Sequence, residues 1–418
     1  MSEFRLGTKP LIAAVLGVAL GASPIPYNSI GLVIGPITAE YHWSVEQVAN
    51  GITIFGVVAA LLAPLFGAVA DKIGSRKVAL WSFAAFIVTF ALLYFTPPDV
   101  RWWYAIWGLI SLFGIGSTPV TWSRGISQWF VAHRGLALGI MLVGTSLTAV
   151  ILPKLGTAII AAWGWRALFP SLSLMALILA LPVAIAWFRE PTPEERPAAL
   201  SDASGQLLGK TLGEALRDYR FYVLALSTIL VSTAYGGAHI HMIPMVKLHG
   251  FSPSEAAGVT TLVGVGILVG RLVIGLLFDR FWAPGIAFPV LLLPALAGYL
   301  LIGHVDSIAP LQLAAFLLGL AAGAESDVIA YMVARYFGMR NYGRIYGSVY
   351  LFFGLCAGIS PKLYARAVDS TGSYDPMLKI AIGMFIVGGG LLLALGRYPE
   401  WSAQKETAAL PQGATIGG

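Results

Sequence analysis

Apolar residues run along this chain in long blocks separated by short polar breaks, and the blocks have the length of membrane crossings. A spanning helix needs roughly 20 apolar residues. Twelve blocks reach that length, at about 11–38, 48–70, 77–96, 102–131, 135–161, 167–188, 220–246, 255–279, 283–305, 309–336, 342–369 and 376–397. The first follows a short basic start and continues to about Thr38, which reads as a spanning helix and not as a cleaved signal peptide. The pattern predicts an all-α integral membrane protein of twelve transmembrane helices. An even number of crossings puts both termini on one side. The longest polar interruption, 189–218, carries Pro191, Pro193 and Pro197 and separates a first half, 1–188, from a second, 219–400, with 401–418 as a tail.

The halves repeat one another. An offset of 208 residues places Ser44 on Ser252, Thr53 on Thr261, Gly56 on Gly264, Gly67 on Gly275 and Asp71 on Asp279. Without a gap it also places Gly135 on Gly343, Gly139 on Gly347, and Pro153-Lys154-Leu155 on Pro361-Lys362-Leu363. Two repeated six-helix halves are the construction of a large class of secondary transporters, whose solute site lies between the halves near mid-membrane.

Composition agrees with a lipid environment: 57% of the 418 residues are apolar and 11% are charged, the latter about half the share of a soluble domain. The net charge of +6 comes from short clusters between apolar runs, without the continuous stripe that nucleic acid requires. It reads as topology. With a cytoplasmic N-terminus, 17 of the 26 Lys and Arg lie inside, five lie outside, and Arg124, Lys154, Arg271 and Lys362 fall within helices. The single cysteine, Cys356, excludes an internal disulfide and a Cys-based metal site. No cofactor is implied: no nucleophile-base pair, metal cluster or phosphate loop emerges, so neither an enzyme nor ATP drive is expected.

The loop after the second block reads Gly67-Ala-Val-Ala-Asp71-Lys72-Ile-Gly74-Ser75-Arg76-Lys77 and resembles the signature loop of the major facilitator superfamily. Glycines let two helices approach, and an aspartate at a helix end can hold the neighbouring half by charge-assisted hydrogen bonds to basic groups. Gly275-x-x-x-Asp279-Arg280 repeats the core of this motif. Asp71, Arg76, Lys77, Asp279 and Arg280 are therefore expected to gate. The segments Gln128-Trp129-Phe130, Arg134-Gly135-Leu136-Ala137-Leu138-Gly139, Gly164-Trp165-Arg166 and His241-Met-Ile-Pro244 resemble junctions of the monocarboxylate porters and their bacterial relatives. In Arg271-x-x-x-Gly275-x-x-x-Asp279 the arginine stands where those porters and the oxalate/formate exchangers contact a substrate carboxylate. The chain departs from these families at Ile267, Asn28 and Phe353, where their aspartate and two lysines would fall, which favours one carboxylate over two.

Ionisable groups inside a bilayer need a partner or a polar cavity. Arg271 lies about 16 residues into its block, near mid-depth, and its planar fork matches a carboxylate. The alternative is a permanent salt bridge to Glu325 or Asp327, which lie at similar depth on the tenth block. Two residues apart on a helix, these acids point about 200° apart, so one faces the cavity, where it can exchange a proton. His239 and His241 are further proton-relay candidates, with a hydrogen-bonded structural role as the alternative. Arg124 is either a second anion contact or a group snorkelling to the cytoplasmic interface. Lys154 and Lys362 are expected to snorkel outward. The broken first block, with Gly21, Pro24 and Pro26, suggests a cavity-lining stretch at Tyr27 and Asn28; Tyr235 and Tyr331 are further lining candidates.

What the resemblance implies is a multi-pass transporter of the cell membrane, in bacterial relatives the inner membrane, acting as a monomer. It would move a small organic anion, a monocarboxylate, with a proton by alternating access. The rival readings are efflux of an amphipathic drug or metabolite and a receptor that binds a solute without moving it.

Overall fold

The computed structural model describes residues 3–399, apart from 203 and 304 and the side chains of 253, 257, 324 and 326; the tail 401–418 lies outside the described residues. The described chain is helical. The segments are α1 (Glu3–Tyr41, interrupted between Ala19 and Pro24), α2 (Val45–Ile73), α3 (Ser75–Phe95), α4 (Val100–Ile126), α5 (Arg134–Trp163) and α6 (Trp165–Trp187). They continue as α7 (Tyr219–Ile240, resumed as Met242–Leu248), α8 (Pro253–Arg280), α9 (Ala283–Leu300), α10 (Ile308–Phe337), α11 (Tyr342–Thr371) and α12 (Asp375–Leu393). Eleven are long and apolar enough to cross a membrane by composition alone; α11, 30 residues long, carries Arg344, Lys362, Arg366 and Asp369 and is the more polar exception. The twelve predicted blocks are all present as helices.

Local chemistry explains the starts and stops. Ser44 and Ser252, equivalent in the repeat, each accept the amide three residues on, while Gln47 and Glu255 reach back to the cap. Matching capping boxes thus fix the starts of α2 and α8. The break in α1 falls at the Gly21-Ala-Ser-Pro24 sequence, as its small residues and proline require.

With an even number of crossings, Glu3 and residue 399 lie on one face, called here the terminal face. There Glu3 accepts the amides of Val131, Ala132 and His133 at 2.9–3.1 Å, ahead of α5. The segment between α6 and α7 also lies there. Arg189 binds Glu195, holding its carboxyl down at about 2, and Lys210 and Met339 exchange backbone bonds with Phe337 and Leu208 at 2.8 Å. This connecting segment therefore rests on the loop between α10 and α11.

Two crossings join the halves near the terminal face. In one, α2 meets α11 at Gly67 and Gly343; in the other, α8 meets α5 at Gly275 and Gly135. A methyl on Gly67 would stand 1.9 Å from the Gly343 carbonyl oxygen, and one on Gly135 2.3 Å from that of Gly275. Backbone contact of this kind suits helix packing in lipid, where small residues let dispersion act at short range. Toward the opposite face the helices part. Tyr27, Gly31 and Gly35 form one stripe on α1; Tyr27 is 55% exposed, and a methyl on either glycine would meet nothing within 4 Å. The bundle is thus closed at the terminal face by the two crossings, and the α1 stripe toward the other face is uncovered.

The crossing should reject any added side chain. Gly67→Val is expected to lower the thermal midpoint of the detergent-solubilised protein, at an overpacking cost of about 1–3 kcal/mol. Gly31→Val, made into open space, should leave the midpoint unchanged. Equal midpoints for both variants would show that the crossing is looser than its backbone contacts indicate.

Candidate functional site

The signature aspartates close the terminal face. Asp71, at the end of α2, accepts the amides of Gly343 and Arg344 on its two oxygens at 2.9 and 2.8 Å, capping the start of α11 in the other half. Asp279, at the end of α8, accepts the amides of Gly135 and Leu136 at 2.7 and 2.9 Å, capping the start of α5. Each pair of contacts maps onto the other by the 208-residue offset. A carboxylate at a helix N-terminus meets unpaired amides and the positive end of the helix dipole. Each aspartate therefore bonds across the halves to backbone, and the basic group expected as its partner comes from the aspartate's own half.

That group is Arg124. It is buried at 3% exposure, pairs with Asp71 at 2.8 Å and Glu190 at 2.7 Å, and donates to the Ser75 hydroxyl at 3.0 Å. It neither faces the central space nor snorkels, because three acceptors beside the latch occupy its guanidinium. Glu190 also accepts the Ser75 amide at 2.6 Å, capping α3. Sequence reasoning missed it; its position just past α6, between Arg189 and Pro191, was the available signal. Arg76 caps the end of α6 by donating to the Ile185 carbonyl at 2.7 Å, while Lys77 and Arg280 lie on the surface.

Arg271 sits 18 residues from the start of a 28-residue helix, about 27 Å along it. That is deeper than mid-span and two turns before Asp279. It is 8% exposed and donates to the Thr145 hydroxyl of α5 at 2.5 Å. Among the described residues it forms no ion pair, and its Nε has no acceptor. The permanent salt bridge expected as the alternative is thus not made. Asp327 lies near enough to interact electrostatically with Arg271, yet both of its oxygens lack a hydrogen-bond donor. Tyr346 of α11, also within electrostatic reach of Arg271 and fully buried, has an unpartnered hydroxyl. Glu325 is buried as well, with one oxygen unpartnered, and interacts with Tyr235 of α7. The two acids diverge as helical geometry demands, Asp327 toward Arg271 and Glu325 toward α7. Thr145 and Tyr346 carried no sequence signal, because contacts between helices far apart in the chain leave no spacing to read.

The remaining candidates divide. His241 is tied at both nitrogens: Nε2 donates to the Pro361 carbonyl at 3.0 Å, so Nδ1 accepts the Tyr374 hydroxyl at 2.9 Å. That is the structural role, pinning α7 to α11. His239 stacks on Tyr235 with ring centroids 5.4 Å apart, and its Nδ1 has no partner. Tyr27 packs edge-on against Phe55 and faces the open space, whereas the Asn28 amide donates to the Pro24 carbonyl at 2.7 Å, repairing the break in α1. Tyr331 is buried at 3% and donates to the Phe278 carbonyl at 2.8 Å, so it packs α8 against α10 near the terminal face and lies outside the cavity. Lys154 and Lys362 are exposed toward the open end.

A profile of the Major Facilitator Superfamily matches residues 16–361. The chain is 24% identical over 405 residues to monocarboxylate transporter 11 of Homo sapiens, covering 93% of this chain and 83% of that protein. It is 25% identical over 381 residues to monocarboxylate transporter 13 of Bos taurus, covering 90% and 86%. The solved fucose:proton symporter of E. coli superposes with a TM-score of 0.68 at 13% identity, over 95% of this chain and 100% of that one. A human organic anion transporter superposes with the same TM-score at 17% identity, over 94% and 100%. These structures share the fold.

Removing either aspartate strips two buried amides of their acceptor, a loss of about 1–3 kcal/mol each. Asp71→Ala and Asp279→Ala are each expected to shift the protein toward opening at the terminal face. Spin labels on the α2–α3 and α10–α11 loops should report longer distances in pulsed electron resonance. Distributions identical to the parent's would remove the latch assignment.

Proposed function

The chain belongs to the major facilitator superfamily, and from that premise we propose that it moves a monocarboxylate together with a proton, with Arg271 as the carboxylate anchor. The observation that carries this reading is an arginine buried where α8 meets α5 of the other half, with no ion-pair partner among the described residues. A guanidinium keeps its charge in proteins, so its burial calls for an anion. Its planar fork and the unpartnered Tyr346 hydroxyl together offer donors to two carboxylate oxygens. The curated relatives named for monocarboxylates point to the same chemistry.

Asp327 is the proposed proton carrier. A carboxyl with no hydrogen-bond donor is satisfied by a proton or by a nearby cation, and Arg271 is the cation within its reach. When substrate takes the arginine, Asp327 takes a proton; when substrate leaves, the acid and the arginine face each other again. Anion and proton then cross as a neutral sum, which avoids about 2.3 kcal/mol per charge per 100 mV of membrane potential. The excess of Lys and Arg on the terminal face supports placing both termini in the cytoplasm. The conformation described is then the one closed on the cytoplasmic side.

Uptake of radiolabelled carboxylates into proteoliposomes, with and without an inward proton gradient, tests this. The parent should accumulate a monocarboxylate, and the gradient should raise the rate. Arg271→Gln should lose at least tenfold in uptake, and Asp327→Asn should keep exchange of internal for external substrate while losing gradient stimulation. Normal transport by Arg271→Gln would refute the anchor; gradient-driven accumulation by Asp327→Asn would move the proton to Glu325 or His239.

A further inference from the structure

We infer that the substrate is a monocarboxylate bearing an aromatic ring, and not a two- or three-carbon acid; this rests on the reading of Arg271 as the carboxylate anchor. Beyond that arginine, away from the terminal face, stand rings drawn from both halves. Tyr27 comes from α1, Tyr235 with its stacked partner His239 from α7, and Tyr350 and Phe353 from α11. Each is held by a neighbour: Tyr27 edge-on to Phe55 at 5.8 Å, Tyr235 against His239 at 5.4 Å, and Tyr350 against Tyr346 at 5.9 Å and Phe353 at 5.2 Å. These contacts fix ring orientation before any ligand arrives, so little is lost in ordering them.

These rings are unlike helix packing in one respect. A ring that serves only to fill a core is enclosed, as Trp103, Trp107 and Phe90 are in the first half. Tyr27 is more than half exposed, and Tyr235, Tyr350 and Phe353 are half-buried. Tyr27 and Tyr350 stand within electrostatic reach of each other from opposite halves. From Tyr346, which has an unpartnered hydroxyl and lies within electrostatic reach of Arg271, α11 rises seven residues to Phe353, about 10 Å. A carboxylate anchored at Arg271 would therefore extend its body between these rings. Acetate or lactate would end below them and leave their faces in water. A phenyl group one or two carbons from the carboxylate would meet them at the edge-to-face separations that aromatic pairs prefer.

Calorimetric binding to the purified full-length protein separates the possibilities, with phenylacetate, 3-phenylpropanoate, acetate, lactate and uncharged 2-phenylethanol as probes. The two phenyl acids should bind at least tenfold more tightly than acetate or lactate. Tyr350→Leu and Phe353→Leu should each weaken phenylacetate about two- to tenfold while leaving acetate affinity at the parent value, which also certifies the fold of the variants. Arg271→Gln should abolish binding of every acid. Acetate or lactate binding as tightly as the phenyl acids would overturn the aromatic preference and leave the monocarboxylate reading standing. So would equal losses for acetate and phenylacetate in both leucine variants. Binding of none of the acids, or of phenylethanol as tightly as phenylacetate, would overturn the anchor and this inference together.

Discussion

The closed face of this protein depends on a carboxylate capping the start of a helix in the opposite half. It is made twice, by Asp71 on α11 and by Asp279 on α5. Neither contact is possible unless the backbones touch, and that is the service of Gly67, Gly135, Gly275 and Gly343. In lipid no hydrophobic term favours one apolar helix surface over another, so close packing and buried hydrogen bonds decide which faces meet. A bistable transporter needs a closure that is specific yet limited in strength. Two amides per aspartate, set over a small glycine contact, meet both demands.

The two closures are not chemically equal. On the α2 side, Asp71 shares Arg124 with Glu190, so a buried network of three charges stands behind the cap. On the α8 side the 208-residue offset places Met332 where Arg124 would be, and Tyr398 where Glu190 would be. Its hydroxyl accepts the Ala283 amide at 2.8 Å, as Glu190 accepts that of Ser75. Duplication kept the backbone contacts and let the charges behind them diverge. Buried charge networks resist the loss of one member, because each removal leaves another ion unpaired. The α2 closure is thus the more committed of the two.

Much of this was legible in the sequence because membrane helices must satisfy their backbone internally, which ties block length to element. The twelve blocks, the broken α1 and the doubled motif could be read for that reason. The limits were set by direction. Arg124 and Arg271 look alike as intramembrane arginines, but one ends among acids behind the Asp71 cap and the other is buried without an ion pair among the described residues, and only packing between elements distinguishes them. Tyr331 and Tyr346 are both tyrosines of the second half; one bonds a carbonyl of α8, the other leaves its hydroxyl free. His241 and His239 are two residues apart with opposite fates, since Pro361 and Tyr374 reach the first alone. Arg271 stands two thirds of the way along both its block and α8, so its depth was legible and only its surroundings were not.

Depth matters for how binding is converted into motion. Arg271, Gly275 and Asp279 are spaced four apart and lie along one face of α8, against α5. A methyl on Gly139 would meet the Arg271 carbonyl oxygen at 2.4 Å and stand 3.7 Å from Asp327 Oδ2. The proposed anchor, the proposed proton carrier and the Asp279 cap therefore belong to a single crossing, and that crossing must part if the terminal face is to open. In the first half the corresponding stripe is Ala63, Gly67 and Asp71, with Gly347 against the Ala63 carbonyl. It has the same closure without the arginine. One crossing thus keeps its charges behind the cap, while the other carries an arginine two turns before it. A ligand that neutralises Arg271 changes the electrostatics of the α5–α8 crossing directly, and reaches the α2–α11 crossing only through movement of the halves as bodies. On this reading the crossing that holds the anchor is the first to respond to substrate, and the charged network at Asp71 sets how far the response must go before the opposite closure gives way.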